Sequence, residues 1–144
     1  MSDQRWIVLD TDVWSGLFTR SPRKPDPRLG VWRRLIDGAS TAIAMQTRAE
    51  VLAGLAYTDL GQQRRAAIRI QLDATPTIPV SEDVVIAFAD LTAGCRMVGH
   101  ALHAKTHTAD RWIAATAIAV GYPLLAGDHI YSDAPGLRLL TSES

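Results

Sequence analysis

Trp6-Ile7-Val8-Leu9, followed at once by Asp10-Thr11-Asp12, sets the frame for the whole chain. Four consecutive apolar residues without polar alternation read as a short strand buried on both faces. Strands of that kind belong to parallel sheets covered by helices, so the rest of the sequence should alternate the two elements. It does. Residues 41–45 form a second buried-strand candidate, 77–80 a short extended piece, and 123–126 and 137–140 the last strand candidates.

The intervening segments read as helices. Residues 29–36 are a short one, ended near Gly38, and residues 47–57 and 62–72 are two more, separated around Gly61. The clearest helix starts after Ser81, a plausible N-cap, with Val84, Phe88, Leu91, Cys95 and Val98 recurring at steps of four and three as one apolar stripe. Residues 108–120 form another helix, closed by Gly121 and Pro123. Residues 17–27 hold three prolines and several basic side chains and read as a loop. The fold class is therefore α/β with a mainly parallel sheet, and the ligand site of such a sheet lies beyond the carboxyl ends of its strands.

Composition narrows the function. The 144 residues suffice for one domain with a sizeable core, spanning residues 1–144. Apolar residues make up 47% and charged residues 21%, ordinary for a soluble protein, and no apolar run approaches the roughly 20 residues of a membrane span. The N-terminus has no secretory pattern, and Cys95 is the single cysteine, so no internal disulfide forms; a cytoplasmic setting is expected. Cys95 sits in apolar surroundings and reads as core filler. Net charge is zero, so any nucleic acid must be met by local patches and not by a global basic field. Arginine far outnumbers lysine, which occurs only as Lys24 and Lys105. That bias suits phosphate or carboxylate partners, and a GC-rich coding bias explains it as well.

Four carboxylates occupy corresponding places. Asp10 follows the first strand, Glu50 lies in the first turn of the helix after the second, Asp110 opens the small-residue helix, and Asp128 closely follows the strand at 123–126. In a parallel sheet all four emerge at one edge. Asp110, Ala114, Ala117 and Gly121 share a helix face whose small residues allow close packing on the sheet, aiming Asp110 at that edge. Each acid has a plainer reading too. Glu50 completes a capping box with Thr47, Asp110 suits any helix N-terminus, Asp128 suits a turn, and Asp10 suits an N-cap.

A carboxylate cluster needs compensation. Two unit charges about 5 Å apart repel by roughly 3 kcal/mol at an effective dielectric of 20. Cations or raised pKa values must relieve that. Hard oxygen ligands suit Mg²⁺, with Mn²⁺ as a substitute. Such an ion acidifies water and stabilises charge on a phosphoryl oxygen, which is what phosphodiester hydrolysis requires without a covalent nucleophile.

These residues resemble the PIN-domain family, in particular VapC-type toxins of bacterial toxin–antitoxin pairs. The resemblance rests on Ile7-Val8-Leu9-Asp10-Thr11-Asp12-Val13, on Arg48-Ala49-Glu50-Val51-Leu52-Ala53-Gly54, and on Asp110-Arg111-Trp112-Ile113-Ala114-Ala115-Thr116-Ala117. The last is followed by Gly121-Tyr122-Pro123-Leu124-Leu125 and Asp128. It implies a single-domain α/β/α sandwich, Mg²⁺-dependent endoribonuclease activity, a cognate VapB-like antitoxin and a homodimer. By motif position it implies that Asp10, Glu50, Asp110 and Asp128 are the catalytic, metal-holding quartet. Asp10, Asp110 and Asp128 would meet the metal and Glu50 would act through water. Asp12 would stand behind them, and Thr11 either helps hold Asp10 or is a turn hydroxyl. The family often carries a hydroxyl two positions before the last Asp; here that residue is Ala126, which weakens the expectation for Asp128.

Other features stay open. His100, His103 and His107 have the spacing of a metal triad but no confident helix, and read better as solvated or substrate-facing; His107 and His129 lie near Asp110 and Asp128, where either could touch RNA. Arg20, Arg23, Lys24, Arg28, Arg33 and Arg34 make the densest basic segment, flanked by Trp14 and Trp32, which read as interface residues for dimerisation or antitoxin docking. Two competing functions remain at this point. Asp10-Thr11-Asp12 resembles the nucleophile motif of haloacid-dehalogenase-like phosphatases, although the Asp110 helix has no role there. A catalytically inert PIN-like module that binds RNA or a protein partner is the other.

Overall fold

The computed structural model describes residues 4–19 and 26–141. Arg20, Arg23 and Lys24 of the basic segment lie outside the described residues, as does most of the loop expected at 17–27. Four strands form one parallel sheet: β1 (Trp6–Leu9), β2 (Ser40–Ala44), β3 (Thr77–Ile78) and β4 (Leu124–Leu125), in the order β3-β2-β1-β4. In register, Leu9 pairs with Ile43 on one side and with Leu125 on the other, so the carboxyl ends of the two central strands and β4 are level. Residues 137–140, expected as a strand, contribute one parallel bridge, Leu124 to Leu139, at the β4 edge.

Burial in β1 alternates by face, as the pleat demands. Ile7 and Leu9 pack with Val13, Trp14, Trp32, Ile43, Ile68 and Leu72. Val8 points the other way, among Leu91, Cys95, Leu102, Ile113, Ala114, Ala117 and Leu124. The first layer is built from α1 (Thr11–Phe18), α2 (Leu29–Ile36) and α4 (Gln62–Ala74); the second from α5 (Glu82–Val98) and α6 (Thr108–Val120). Helix α3 (Met45–Tyr57) leaves β2 directly and touches both α1 and α6. This is the expected α/β/α arrangement.

Several boundaries move for physical reasons. Leu17 and Phe18 end helix α1 instead of starting a loop. Helix α1 has modest propensity, with Thr11, Val13 and Gly16 in eight residues, and is held by burial of Val13 and Trp14 and by the Asp10 cap. Helix α3 begins at Met45, two residues before the expected start, because β2 runs straight into it. Ser81 caps α5 as expected, accepting from the Val84 N–H, but Val98 is 68% exposed at the last turn and drops out of the apolar stripe. Trp14 and Trp32, read as interface residues, are core residues, 0% and 4% exposed. Cys95 is buried filler as expected. Among the described residues no helix is long and apolar enough to cross a membrane.

Candidate active site

At the carboxyl edge of the sheet, a small pocket of about 70 Å³ is lined by Asp10, Thr11, Asp12, Glu50, Asp110, Ile113, Asp128 and Tyr131. All four acids singled out by position in the sequence therefore line one pocket, with Asp12 beside them. Each arrives from a different element, and each is oriented by its own hydrogen bonds.

Asp10 ends β1 and caps α1: Oδ1 accepts from the Val13 N–H at 2.9 Å, and Oδ2 accepts from the Gly127 N–H at 3.2 Å. The N-cap role and the pocket role coexist on one side chain. Burial pushes its carboxyl up to about 6; the two backbone donors pull the other way, and the nearby charges of Asp12 and Asp110 add to the rise. Burial outweighs two hydrogen bonds because the side chain is almost wholly removed from water.

Glu50 sits in the second turn of α3, not the first. The helix starts at Met45 with Ala44 as its uncapped N-cap, so the capping box with Thr47 does not form. Thr47 is instead fully buried, and its hydroxyl lies 3.1 Å from that of Thr11. Thr11 Oγ1 in turn reaches Glu50 Oε1 at 3.3 Å, while Gln46 donates to the same oxygen at 3.4 Å. Thr11 thus braces Glu50, not Asp10. Burial also raises the Glu50 pKa; the Gln46 and Thr11 hydrogen bonds oppose that, and repulsion from Asp110 and Asp12 adds to it.

Asp110 lies in the first turn of α6, whose small face packs tightly, with Ala114 and Ala117 fully buried. Both of its oxygens are engaged. The Tyr131 hydroxyl donates to Oδ1 at 3.2 Å, and His107 Nδ1 lies 3.1 Å from Oδ2. Asp128 is more exposed and caps the 3₁₀ turn His129–Tyr131 through the Ile130 N–H at 2.9 Å. The turn reading and the pocket reading hold together, as for Asp10. Residue 126 brings no hydroxyl, and the hydroxyls of the pocket come from Thr11 and Tyr131.

Neither Tyr131 nor the true partner of Thr11 is legible in the sequence. Tyr131 stands three residues after Asp128, and no periodicity marks it. The histidines also need correction. His100 is half-buried and both ring nitrogens are engaged by backbone: its Nδ1 accepts from the Leu102 N–H and its Nε2 meets the Ser132 carbonyl at 2.7 Å. His107 pairs with Asp110, and His103 is exposed, so the three do not converge as a triad. His129 lines a neighbouring pocket, of about 360 Å³, that shares Asp128 with the acidic one. Of the basic segment, Arg28 pairs with Asp26 and donates to the Gly127 carbonyl at 2.7 Å.

The donor set suits a hard divalent cation. Its side-chain donors are mostly carboxylate oxygens, and the burial and mutual repulsion that raise Asp10 and Glu50 leave negative charge that a cation would offset. Among the described residues, no three His, Cys, Asp or Glu side chains stand close enough to surround one ion. A cation here would meet one or two carboxylates and keep water in its other positions, which is how Mg²⁺ is commonly bound.

The fold is shared with VapBC2 of Rickettsia felis, solved bound to a promoter DNA fragment (TM-score 0.73, 20% identity, 94% of this chain and 97% of that one). It is shared with FitAcB of Neisseria gonorrhoeae (TM-score 0.71, 23% identity, 95% and 98% coverage). VapBC-5 of Mycobacterium tuberculosis, a member of the VapBC family of toxin–antitoxin systems, is similar as well (TM-score 0.66, 22% identity, 94% and 97% coverage). No curated protein matches the sequence. The sequence profile described as the PIN domain matches residues 7–137, nearly the whole chain. With the parallel sheet and the acid-lined edge, that match places this chain in the PIN-domain family.

Proposed function

We propose that this protein is a divalent-metal-dependent endoribonuclease and the toxin of a toxin–antitoxin pair. The observation that carries the reading is the single pocket lined by Asp10, Glu50, Asp110 and Asp128, with Asp10 desolvated and repelled by its neighbours. Membership of the PIN-domain family removes the footing of the haloacid-dehalogenase-like phosphatase alternative, and the Asp110 helix, idle in that reading, supplies one wall of the pocket. The toxin assignment draws support from the VapBC and FitAB proteins that share the fold. It brings with it a VapB-like antitoxin partner and a homodimer.

Of Asp10, Asp110 and Asp128, one or two would meet Mg²⁺ or Mn²⁺ directly and the rest through water, and Glu50 would act through water. The bound cation supplies positive charge that acidifies water and offsets charge on the phosphoryl oxygens. The protein's part is orientation and proton handling. Asp10 is fixed by two backbone donors and Asp110 by Tyr131 and His107. Glu50 Oε1 is taken by Thr11 and Gln46, which leaves Oε2 as the oxygen to orient the attacking water and receive its proton. The substrate is single-stranded or loop RNA, whose phosphates would meet the acid-lined edge at the carboxyl ends of the strands.

Cleavage mapping on total RNA with Mg²⁺ tests the proposal. Wild type should cut at defined positions, while Asp10→Ala and Asp110→Asn should lose cleavage and keep the fold. Full activity in a rigorously purified Asp10→Ala protein would sink the nuclease reading. Calorimetric titration with Mn²⁺ separates an enzyme from an inert binding module, which would take up no divalent ion.

A further inference from the structure

Among the described residues, Asp110 is the one acid of the pocket gripped by side chains on both oxygens, and the two grips differ in kind. His107 approaches Oδ2 from the turn just before α6, three residues upstream, and both side chains are about one-third exposed. Tyr131 approaches Oδ1 from a distant part of the chain, 21 residues downstream, with only 1% of its surface exposed. Its ring is locked in the core between the sheet and α6, among Val8, Ile113, Ala114 and Leu124.

The placement of that hydroxyl is itself built by the pocket. Tyr131 ends the short 3₁₀ turn that Asp128 caps, so one turn delivers an acid at its start and a hydroxyl at its end. Both line the same pocket. A hydroxyl on a core-locked ring is a donor of fixed position, whereas an exposed carboxylate would rotate freely among its neighbours. A carboxylate oxygen has about two lone-pair sites. With Tyr131 on one site of Oδ1 and His107 on one site of Oδ2, one site on each oxygen remains for a further partner, and Asp110 lines the pocket.

We infer that Tyr131 is a positioning residue for Asp110: its buried hydroxyl fixes the carboxylate in the orientation that meets a divalent cation. This rests on the metal-dependent reading above and deepens it. Hydrogen-bond partners behind a metal ligand typically govern affinity or activity by 10–100-fold. The same size is expected here, without direct contact between Tyr131 and substrate.

The test is Tyr131→Phe, which keeps the ring and its packing and deletes the one donor. Calorimetric titration with Mn²⁺ should show affinity at least about 10-fold weaker than wild type. Cleavage at limiting Mn²⁺ should fall through kcat, with KM for RNA unchanged, and should recover as Mn²⁺ is raised. In an Asp110→Asn background, Tyr131→Phe should have no further effect on Mn²⁺ affinity. Wild-type Mn²⁺ affinity in Tyr131→Phe would overturn this inference and leave the metal-dependent reading standing. Loss of the fold in Tyr131→Phe would also overturn it, assigning the hydroxyl to stability. Failure of the wild-type protein itself to bind Mn²⁺ would overturn both.

Discussion

The main-chain N–H of Gly127 donates to Oδ2 of Asp10 at 3.2 Å, joining positions 117 residues apart at the mouth of the sheet. The contact follows from register. Strand β4 pairs Leu125 with Leu9, so the residues just past each strand end are neighbours. The other oxygen of Asp10 caps α1. A side chain with both oxygens on backbone donors is rigid, yet its charge remains poorly solvated, and that tension has measurable consequences.

Burial raises the Asp10 carboxyl to about 6, against an ordinary value of 3.8. The folded state therefore favours the protonated form. Its contribution to stability is full below about pH 4 and is lost as pH rises through 6. The gap is worth on the order of 3 kcal/mol. In chelator, wild type should thus lose stability relative to Asp10→Ala between pH 4 and 7. Urea unfolding of both proteins across that range isolates the effect, since the lost cap in the variant adds a term with little pH dependence. At pH 7, Mn²⁺ at about 100 times its Kd should restore roughly 2.7 kcal/mol to wild type and little to the variant. A stability difference that stays flat with pH would refute the raised carboxyl.

Trp14 should be sensitive to a change 61 residues away. Its indole Nε1 donates to Thr75 Oγ1 at 3.0 Å in a buried setting, and Thr75 in turn donates to the Gln71 carbonyl. Thr75→Val keeps the shape and strands the indole N–H, so it should cost about 1–3 kcal/mol. Denaturant unfolding measures this directly, and a variant as stable as wild type would show that the indole finds another acceptor.

Much of this architecture is legible in the sequence because burial leaves a pattern, an unbroken apolar run in a strand covered on both faces and a period in a helix. The run at 6–9 and the small face of α6 state where each element packs, and both appear as read. Four acids at strand and helix ends then land in one pocket, because parallel strands share an exit edge. What stays hidden is decided by tertiary partners. Helix α1 draws its stability from Val13, Trp14 and a carboxylate cap, which local propensity undervalues. The Thr47–Glu50 spacing imitates a capping box, yet β2 runs into α3 and moves the helix start. Tyr131 owes its place at Asp110 to a turn of three residues, and no pattern at that length is diagnostic.

Arg111 carries a buried guanidinium that has no carboxylate partner among the described residues. Its Nη1 donates to the carbonyls of Leu102 at 2.6 Å and Ala104 at 2.8 Å, and its plane lies over Phe88. It thereby pins the chain between α5 and α6, from which His107 reaches Asp110. Lysine has neither the planar fork nor the stacking face. Arg111→Lys should cost about 2 kcal/mol in unfolding experiments, since two carbonyls would share one flexible ammonium. Wild-type stability would mean that Lys reproduces the clamp.

Gly127 should resist even the smallest side chain. A Cβ there would stand 3.1 Å from Arg28 Nη1 and 3.3 Å from Trp32 Cζ2. Trp32 is core and cannot retreat, while Arg28 is largely exposed and lies over the Trp32 ring at 4.8 Å. The arginine should therefore give way, losing its hydrogen bond to the Gly127 carbonyl and its place on the ring. Gly127→Ala is expected to cost about 1 kcal/mol, the worth of one hydrogen bond and one exposed cation–π contact. The cause can be isolated by a double-mutant cycle. In an Arg28→Ala background the collision with the guanidinium is gone, so the penalty of Gly127→Ala should shrink by about half or more. An undiminished penalty would trace the strain to Trp32 or to the displaced N–H that holds Asp10. In that case, Mn²⁺ affinity should fall with stability.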